Sequence, residues 1–422
     1  MTSLLPELLS SMHPDLNQGQ REALKKLSGE GNVFVTGGAG TGKSYLMRKF
    51  LKGADPVKFP VLASTGAAAV LVGGRTFHSF FGLGILEGGP GATLERALKD
   101  RRVIRRLKKI SGFVLDEVSM IPGVVFETAE RIASAARGDP RPWGGLQVIA
   151  VGDFAQLPPI TQGSRERDWS FKNPVWERSE FCTTHLTEVM RAQGDVEFQE
   201  ILSDVRLGKV TDRVKHLLDW RSKLSEDEDQ EASLLFARKA DVDRVNKLKL
   251  SQLLGEVRVF ETQYRGDERY KKNLVSSAPI PQFIELKVGA LVMLRQNDPQ
   301  ARWVNGSLGH IEAMDEDVLD IKLMNGRVVE VEQVSFSMLD AEGNEVASAY
   351  NFPVNLAYAV TIHKAQGATL DRVVVSLKNL WEPGQAYVAL SRVRSSADLM
   401  VDGWDGRSIF SDSEVMKFLS EA

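Results

Sequence analysis

The octet Gly37-Gly38-Ala39-Gly40-Thr41-Gly42-Lys43-Ser44 constrains the fold of this chain more than any other feature. It has the spacing G-x-x-x-x-G-K-[ST], follows the apolar run 33–36 and precedes a helical pattern over 43–51. Glycines let a backbone turn tightly and aim successive N–H groups inward, and the next helix adds the partial positive charge of its N-terminus. Such a loop cradles anionic phosphates. The residues from Gly38 to Ser44 would then hold the nucleotide, with Lys43 on the β/γ-phosphates and the Ser44 hydroxyl on magnesium. A strand–loop–helix of this kind belongs in a parallel sheet covered by helices.

The rest of the first half keeps that rhythm. Strand-like runs at 61–64, 113–116 and 147–151 alternate with helical stretches, one of them a small-residue helix at 66–72. The alternation returns later, with strands at 234–237 and 373–377 and helices at 240–254 and 385–393, so two α/β units are predicted. Between them, 283–336 reads as β structure, with runs at 290–294, 310–313, 318–323 and 328–331. The pairs Asn305-Gly306 and Asn325-Gly326 are hairpin signals. A small β-barrel or sandwich inserted into the second unit fits this texture. A second insertion at 82–110 opens on Gly88-Gly89-Pro90-Gly91 and continues as a basic helix, and the short acidic run at 226–231 reads as a solvated loop.

Asp116-Glu117 closes the apolar run 112–115, where an acidic pair behind a phosphate loop suits a magnesium partner (Asp116) and a water-activating base (Glu117). After the next strand, Gly152-Asp153-Phe154-Ala155-Gln156-Leu157-Pro158-Pro159 places Gln156 beside the nucleotide, able to sense a terminal phosphate or orient water, although a polar loop there is equally a structural element.

Global counts exclude other classes. With 422 residues the chain has material for two or three domains, and 53 Lys+Arg against 56 Asp+Glu give a net charge of −3, so it is not a uniformly basic nucleic-acid coat. The single cysteine, Cys182, permits no intrachain disulfide and no cysteine zinc site, and the six histidines have no metal-ligand spacing. No apolar run reaches membrane-spanning length, and the acidic N-terminal segment does not read as a targeting peptide. A cytoplasmic-type compartment, in a bacterial, phage or plasmid context, is the expectation.

Several further segments, in order, resemble the petite-integration-frequency (PIF-type) DNA helicases of superfamily 1B, with their RecD-like relatives, from Leu16 to about Asp398. Leu16-Asn17-Gln18-Gly19-Gln20 resembles the adenine-reading segment, with Gln20 as the base contact. Ala63-Ser64-Thr65-Gly66-Ala67-Ala68-Ala69 and Thr76-Phe77-His78-Ser79-Phe80-Phe81-Gly82 resemble motif Ia and its sequel, Asp116-Glu117-Val118-Ser119-Met120 motif II, and 152–159 motif III. Pro142-Trp143-Gly144-Gly145-Leu146-Gln147 is similar to the family's insert before motif III, with Trp143 where Phe is usual. Thr187-Glu188-Val189-Met190-Arg191 resembles motif IV, with Met190 in place of a common aromatic and Ala192 separating Arg191 from Gln193. The segments 359–369 and Tyr387-Val388-Ala389-Leu390-Ser391-Arg392 resemble motifs V and VI.

The resemblance implies two RecA-like P-loop NTPase domains, 1A (1–81 and 111–185) and 2A (186–270 and 350–422), with a small 1B insertion at 82–110 that can carry a strand-separating wedge and a β-barrel, 2B, at 271–349. It implies an ATP- and Mg2+-dependent motor that moves 5′→3′ on single-stranded DNA and opens forked or tailed duplexes, with a monomer as its basic unit. Lys43, Glu117, Gln156, Arg191 and Arg392 would be catalytic, the two arginines as fingers from the second domain, and Gly367 would join the nucleotide site. Ser64, Thr65, Phe77 and His78 on the first domain and Thr361, His363 and Lys364 on the second would hold the strand. The segment 96–109 carries eight basic residues against Asp100, a local +7 that could meet DNA phosphates or simply be solvated. Competing readings are a motor on RNA or RNA–DNA hybrids, a non-catalytic nucleic-acid-binding accessory protein, and a P-loop kinase or GTPase. The last is disfavoured by the lack of a guanine-reading motif or acceptor lid.

Overall fold

The computed structural model describes residues 15–65, 68–69, 75–84, 86, 88–159, 166–191, 194–223, 232–300, 302–339 and 344–421. Much of the helix expected at 66–72, the acidic run at 226–231, His13, Ala192 and Gln193 lie outside them. The chain divides into two units: Met1–Met190 with Leu339–Glu345 and Glu414–Ala422, and Arg191–Met338 with Val346–Ser413.

The first unit is built on a six-stranded sheet of β1 (Val33–Gly37), β2 (Val61–Ala63), β3 (Arg75–Thr76), β4 (Gly112–Asp116), β5 (Gln147–Gly152) and β6 (Cys182–Leu186), in the order β3-β2-β4-β5-β1-β6. Every pairing is parallel. All five residues of β1 are buried, as befits a strand with helices on both faces. Helix α1 (Gln18–Leu27) starts at a reciprocal capping box between Asn17 and Gln20 and buries Ala23, Leu24 and Leu27. With α2 (Lys43–Lys52) it covers one face of the sheet, over Val33, Val35, Val114 and Ile149. The other face carries a larger, aromatic core. Around it are α3 (Phe77–Phe81), α4 (Gly89–Lys99), α5 (Arg101–Lys109), α6 (Gly123–Arg137) and the short α7 (Pro174–Arg178).

The insertion at 82–110 is therefore α4 and α5, folded onto this core through Ala97, Val103, Leu107 and Ile110. Of its eight basic residues only Arg106 turns inward, 5.2 Å over the Phe80 ring; Arg96 stays exposed while reaching the Leu83 carbonyl. Lys99, Arg101, Arg102, Arg105, Lys108 and Lys109 are exposed as well.

In the second unit, helices α8 (Val196–Arg206), α9 (Asp212–Lys223) and α10 (Lys239–Gln252) accompany a four-stranded parallel sheet. Its strands are β7 (Ser233–Phe236), β18 (Ala359–Thr361), β19 (Val373–Leu377) and β20 (Leu399–Trp404), ordered β18-β7-β19-β20. Between β7 and β18 the chain turns antiparallel, interrupted by helix α11 (Glu268–Ser277). Strands β8 (Arg258–Glu261), β9 (Gln263–Gly266), β10 (Phe283–Leu286), β11 (Leu291–Leu294), β12 (Leu308–Met314), β13 (Val318–Leu323), β14 (Val328–Glu332), β15 (Val334–Leu339), β16 (Glu345–Asn351) and β17 (Val354–Leu356) form sheets of five (β14-β13-β12-β11-β17), three (β15-β16-β9) and two strands (β10-β8). The β texture thus extends beyond 271–349 on both sides. Strands β8 and β9 are short, polar and largely exposed, so they lack the alternation that makes a strand visible in sequence. Asn325-Gly326 joins β13 to β14, as a hairpin signal should. Asn305-Gly306 instead ends a long loop between β11 and β12, where Gly306 has φ +97° and faces the Thr369 carbonyl.

The last helix, Ser413–Glu421, belongs with the first unit rather than with the second α/β domain to which the sequence assigned it. The reason is aromatic packing: Phe418 stacks 4.4 Å from Phe171 and meets Phe154 edge-on at 5.4 Å. Among the described residues no helix is long and apolar enough to cross a membrane, and no cluster of three metal-ligating side chains occurs.

Candidate nucleotide and nucleic-acid sites

The carboxyl edge of the first sheet gathers the predicted nucleotide-site residues. Register places Thr36 beside Gly152 and Ala63 beside both Asp116 and Thr76. The phosphate loop, Asp116-Glu117, the segment after β5, Ser64-Thr65 and Phe77-His78 all leave the sheet along this one edge, where open α/β sheets bind ligands.

The loop's glycines are forced by geometry. A Cβ on Gly37 would lie 2.3 Å from the Leu186 carbonyl oxygen, and on Gly42, at φ +85°, 2.4 Å from Nε2 of Gln20. Lys43 Nζ donates to the carbonyls of Gly37 (2.8 Å) and Gly38 (3.0 Å), which places its charge inside the loop. Gln20, expected to read adenine, lies against the loop in this structure. It is 1% exposed, its Oε1 accepts from the Asn17 N–H, and its Nε2 donates to the Thr41 carbonyl at 3.4 Å. Met190 braces the other side, donating its N–H to the Gly40 carbonyl at 2.8 Å, a contact made by backbone and so indifferent to the usual aromatic.

Behind the loop, burial pushes the Asp116 carboxyl above its ordinary range, opposed by the Glu117 N–H (3.0 Å to Oδ1) and the nearby Lys43 charge. A desolvated carboxylate within the field of Lys43 and the adjacent Ser44 hydroxyl at the start of α2 supply hard-oxygen donors that fit Mg2+, with Ser44 and Asp116 as its holders. Glu117 adopts a left-handed φ of +53°, a strained conformation of the kind that collects at functional sites. Gln156 is 6% exposed, in a turn whose Asp153 carbonyl accepts its N–H.

Among the proposed strand contacts of this unit, Phe77 is corrected. Its ring is fully buried, 4.9 Å from Phe81 and 6.4 Å from Phe113, and offers no face to a base. Phe80 and Phe81 are buried in the same cluster. All three rings lie on the inward face of α3. His78 is half-buried, and burial lowers its pKa. Thr65 is exposed, its hydroxyl accepting from the Ala68 N–H, and Ser64 sits against the Met120 thioether.

In the second unit, Thr361 caps the single turn α12 (Ile362–Ala365) by accepting from the Lys364 N–H. His363 follows, its pKa lowered by burial against the opposing charge of Glu382. Lys364 is exposed at the surface, yet partial desolvation and the charges of Arg295 and Lys239, against Asp243, lower its pKa. Gly367 turns the loop at φ +77°.

The two candidate finger arginines differ. Arg191, first residue of this unit, donates to the Ser391 carbonyl at 2.8 Å, and burial lowers its pKa. Arg392, at the end of α13 (Gln385–Leu390), is only 1% exposed. It holds the Val388 carbonyl (2.6 Å), the carbonyls of Ala365 and Ala368 (both 3.1 Å) and the Ser391 hydroxyl (2.7 Å), so in this structure it clamps motif V to motif VI.

Two participants, Asp195 and Arg295, escaped the sequence reading, and a third, Trp143, has a role that the reading did not give it. Asp195 caps α8 and also binds the N–H of Ser396 and the hydroxyls of Ser395 and Ser396, bracing the chain just past Arg392. Trp143 is a core plug, 4.7 Å from Phe126, and its indole N–H donates to Ser179 at 2.8 Å, a bond the family's usual Phe cannot make. Arg295 is buried beside motif V; nothing in an isolated arginine of a β run announces that.

Residues 15–216 match the model of the PIF1-like helicase family. The ATP-dependent DNA helicase Pif1 of Bdellovibrio bacteriovorus is 50% identical over 407 residues, which span 96% of this chain and 92% of that protein. A crystal structure of Bacteroides sp. Pif1 with ADP-AlF4 superposes with a TM-score of 0.83 at 29% identity, over 96% of each chain. Bacteroides Pif1 with ADP-AlF3 and single-stranded DNA superposes at 0.67, again with 29% identity and 96% coverage of both. An identity of one residue in two, sustained over nearly the whole length and carried by a phosphate loop whose glycines are sterically required, places this chain in the PIF1-like helicase family.

Proposed function

We propose that this protein is an ATP-dependent DNA helicase that uses Mg2+ and ATP hydrolysis to move along single-stranded DNA in the 5′→3′ direction and to unwind forked or tailed duplexes. The observation that carries the reading is the phosphate loop at the sheet's carboxyl edge, with Lys43 held inside it and Asp116-Glu117 alongside. The names of the relatives, and the nucleotide-analogue and single-stranded DNA complexes of the Bacteroides protein, support it.

In this reading the loop's N–H groups bind the triphosphate, Lys43 neutralises its β- and γ-oxygens, and Ser44 and Asp116 hold the cation. The metal, when bound, supplies charge compensation for the phosphates. Glu117 takes the proton of the attacking water, and Gln156 orients that water or senses the terminal phosphate. Arg191 is the better placed of the two arginines to stabilise developing charge, because it has one carbonyl to release where Arg392 has several partners. Ser64, Thr65, His78, Thr361, His363 and Lys364 form the polar track for the strand. The protein acts as a monomeric unit in a cytoplasmic setting, and replication, repair, recombination and G-quadruplex removal are the pathways such a motor serves.

Lys43→Ala is expected to abolish DNA-stimulated ATP hydrolysis while the variant stays folded. Wild-type protein lacking that stimulation would sink the reading, and unwinding confined to 3′-tailed substrates would overturn its polarity. Equal stimulation by matched RNA strands would favour the RNA alternative.

A further inference from the structure

A buried arginine ordinarily has a carboxylate; among the described residues Arg295 has none. It directly follows β11 with its residue surface only 5% exposed, and its sole side-chain partner among the described residues is the Met293 thioether, 3.3 Å from Nη1. Its Nε is buried without any acceptor. The nearest acid in sequence, Asp298, is already engaged: Arg302 grips it through both oxygens at 2.9 and 3.1 Å, and the N–H groups of Gln300 and Arg302 complete its shell. Burial holds the Arg295 pKa down to about 10, which still leaves the guanidinium charged at neutral pH.

The backbone around this side chain is fixed. The Arg295 N–H donates to the Pro353 carbonyl at 2.7 Å, and β11 is paired on both sides, by β12 and β17. The loop that follows β11 returns to motif V. A Cβ on Gly306 would come within 2.7 Å of the Thr369 carbonyl and 3.2 Å of Ala368 Cβ, so only glycine permits that approach. The strand pairing and the Gly306 approach hold the Arg295 segment against motif V, and the charge of Arg295 helps to lower the Lys364 pKa, with Lys239 adding to the field and Asp243 the acid set against it.

An uncompensated buried guanidinium is costly in a folded protein, and an exposed lysine beside it raises the cost. An anion that enters only when a ligand binds relieves both. Guanidinium and ammonium groups side by side match a phosphate, the first through its planar fork and the second as a point charge. We propose that Arg295 and Lys364 form a recessed subsite for one phosphodiester of the single strand, with Lys364 at its mouth and Arg295 as its floor. The subsite rests on the DNA-helicase reading and makes the inserted β region a direct contributor to the strand track.

The test compares Arg295→Met with wild type in three measurements: equilibrium binding of a fluorescent single-stranded oligonucleotide, the salt dependence of that binding, and thermal unfolding without DNA. Loss of one phosphate contact is expected to weaken binding about tenfold at low salt. It should also shallow the log K against log salt slope by about 0.7. Because the removed charge is unpaired, the free variant should melt above wild type. A single methylphosphonate, walked along the 5′ tail of a tailed duplex, should find one position that weakens wild type and leaves Arg295→Met unaffected. Unchanged affinity and slope in the variant would overturn the subsite while leaving the helicase reading intact; a variant that melts lower or fails to fold would assign Arg295 to structure. Wild type that binds no single strand would overturn both.

Discussion

The phosphate loop of the first unit and the motif V–VI cradle of the second are both proposed to hold phosphates, and they are built from different materials. The loop uses backbone. Its donors are peptide N–H groups, its shape depends on the absence of Cβ at Gly37 and Gly42, and its one cation, Lys43, is held by carbonyls of the loop itself. The cradle uses side chains. Arg191, Arg295, Lys364 and Arg392 stand on or beside short turns, and burial rather than peptide geometry determines what each can do. A backbone site tolerates no substitution at its closest approaches, whereas in a side-chain site the outcome depends on whether each charge already has partners.

The contrast breaks most visibly at Gly37. In Gly37→Ala the new methyl meets the Leu186 carbonyl at 2.3 Å, a backbone atom that cannot swing away, so the strand ends must part. A loss of about 3 kcal/mol in a denaturant melt, with loss of nucleotide binding, is expected. A near-wild-type melt would mean that the β1–β6 edge is softer than its parallel register implies.

The next effect lies within the cradle. Arg392→Met deprives the carbonyls of Val388, Ala365 and Ala368 of their donor, and about 2 kcal/mol of stability should go with them. Arg295→Met should shift the melt the other way. Two buried arginines of one unit with opposite signs would establish that pairing, not burial, decides their worth; equal signs would erase the distinction.

The smallest effect concerns pH. Burial lowers the His363 pKa below its ordinary 6.5, so the folded protein favours the neutral ring. The stability associated with that neutral ring is intact above pH 6.5 and is lost as pH falls through 6.5 toward the folded pKa. His363→Gln should therefore flatten the decline in melting temperature between pH 7 and 5 by a degree or so, about what a few tenths of a kcal/mol produces in a domain of this size. At neutral pH it should leave the salt slope of DNA binding unaltered, since a neutral imidazole displaces no counterion. An unchanged pH profile would remove His363 from the set of groups governed by burial.

What was legible in the sequence follows the same division. Gly37 to Ser44, Asp116-Glu117 and the strand–helix alternation declare themselves because glycine spacing and apolar periodicity are local consequences of backbone geometry. The family's ordered motifs extended that reading to Arg191 and Arg392. Local pattern does not say which side of a helix is inside, so the motif resemblance puts Phe77 on the strand track while α3 turns that ring into the core. Nor could it say that Ser413–Glu421 packs through Phe418 in the first unit, because that depends on aromatic partners far away in sequence. Arg295 was invisible for the same reason: its isolation is a property of everything around it, not of the run Leu291–Leu294 that leads to it.

The Arg392 clamp carries one more consequence. Its guanidinium holds the carbonyls of Ala365 and Ala368 while its own backbone closes α13, so the turn bearing His363 and Lys364 and the end of that helix share a single latch. Two binding surfaces joined by one latch cannot be independent. A ligand that draws Arg392 away leaves the His363–Lys364 turn free to shift, and a strand that locks the turn must make Arg392 harder to draw, by the same factor in each direction. Step-wise movement needs such reciprocity, and here it would reside in a few hydrogen bonds around one side chain.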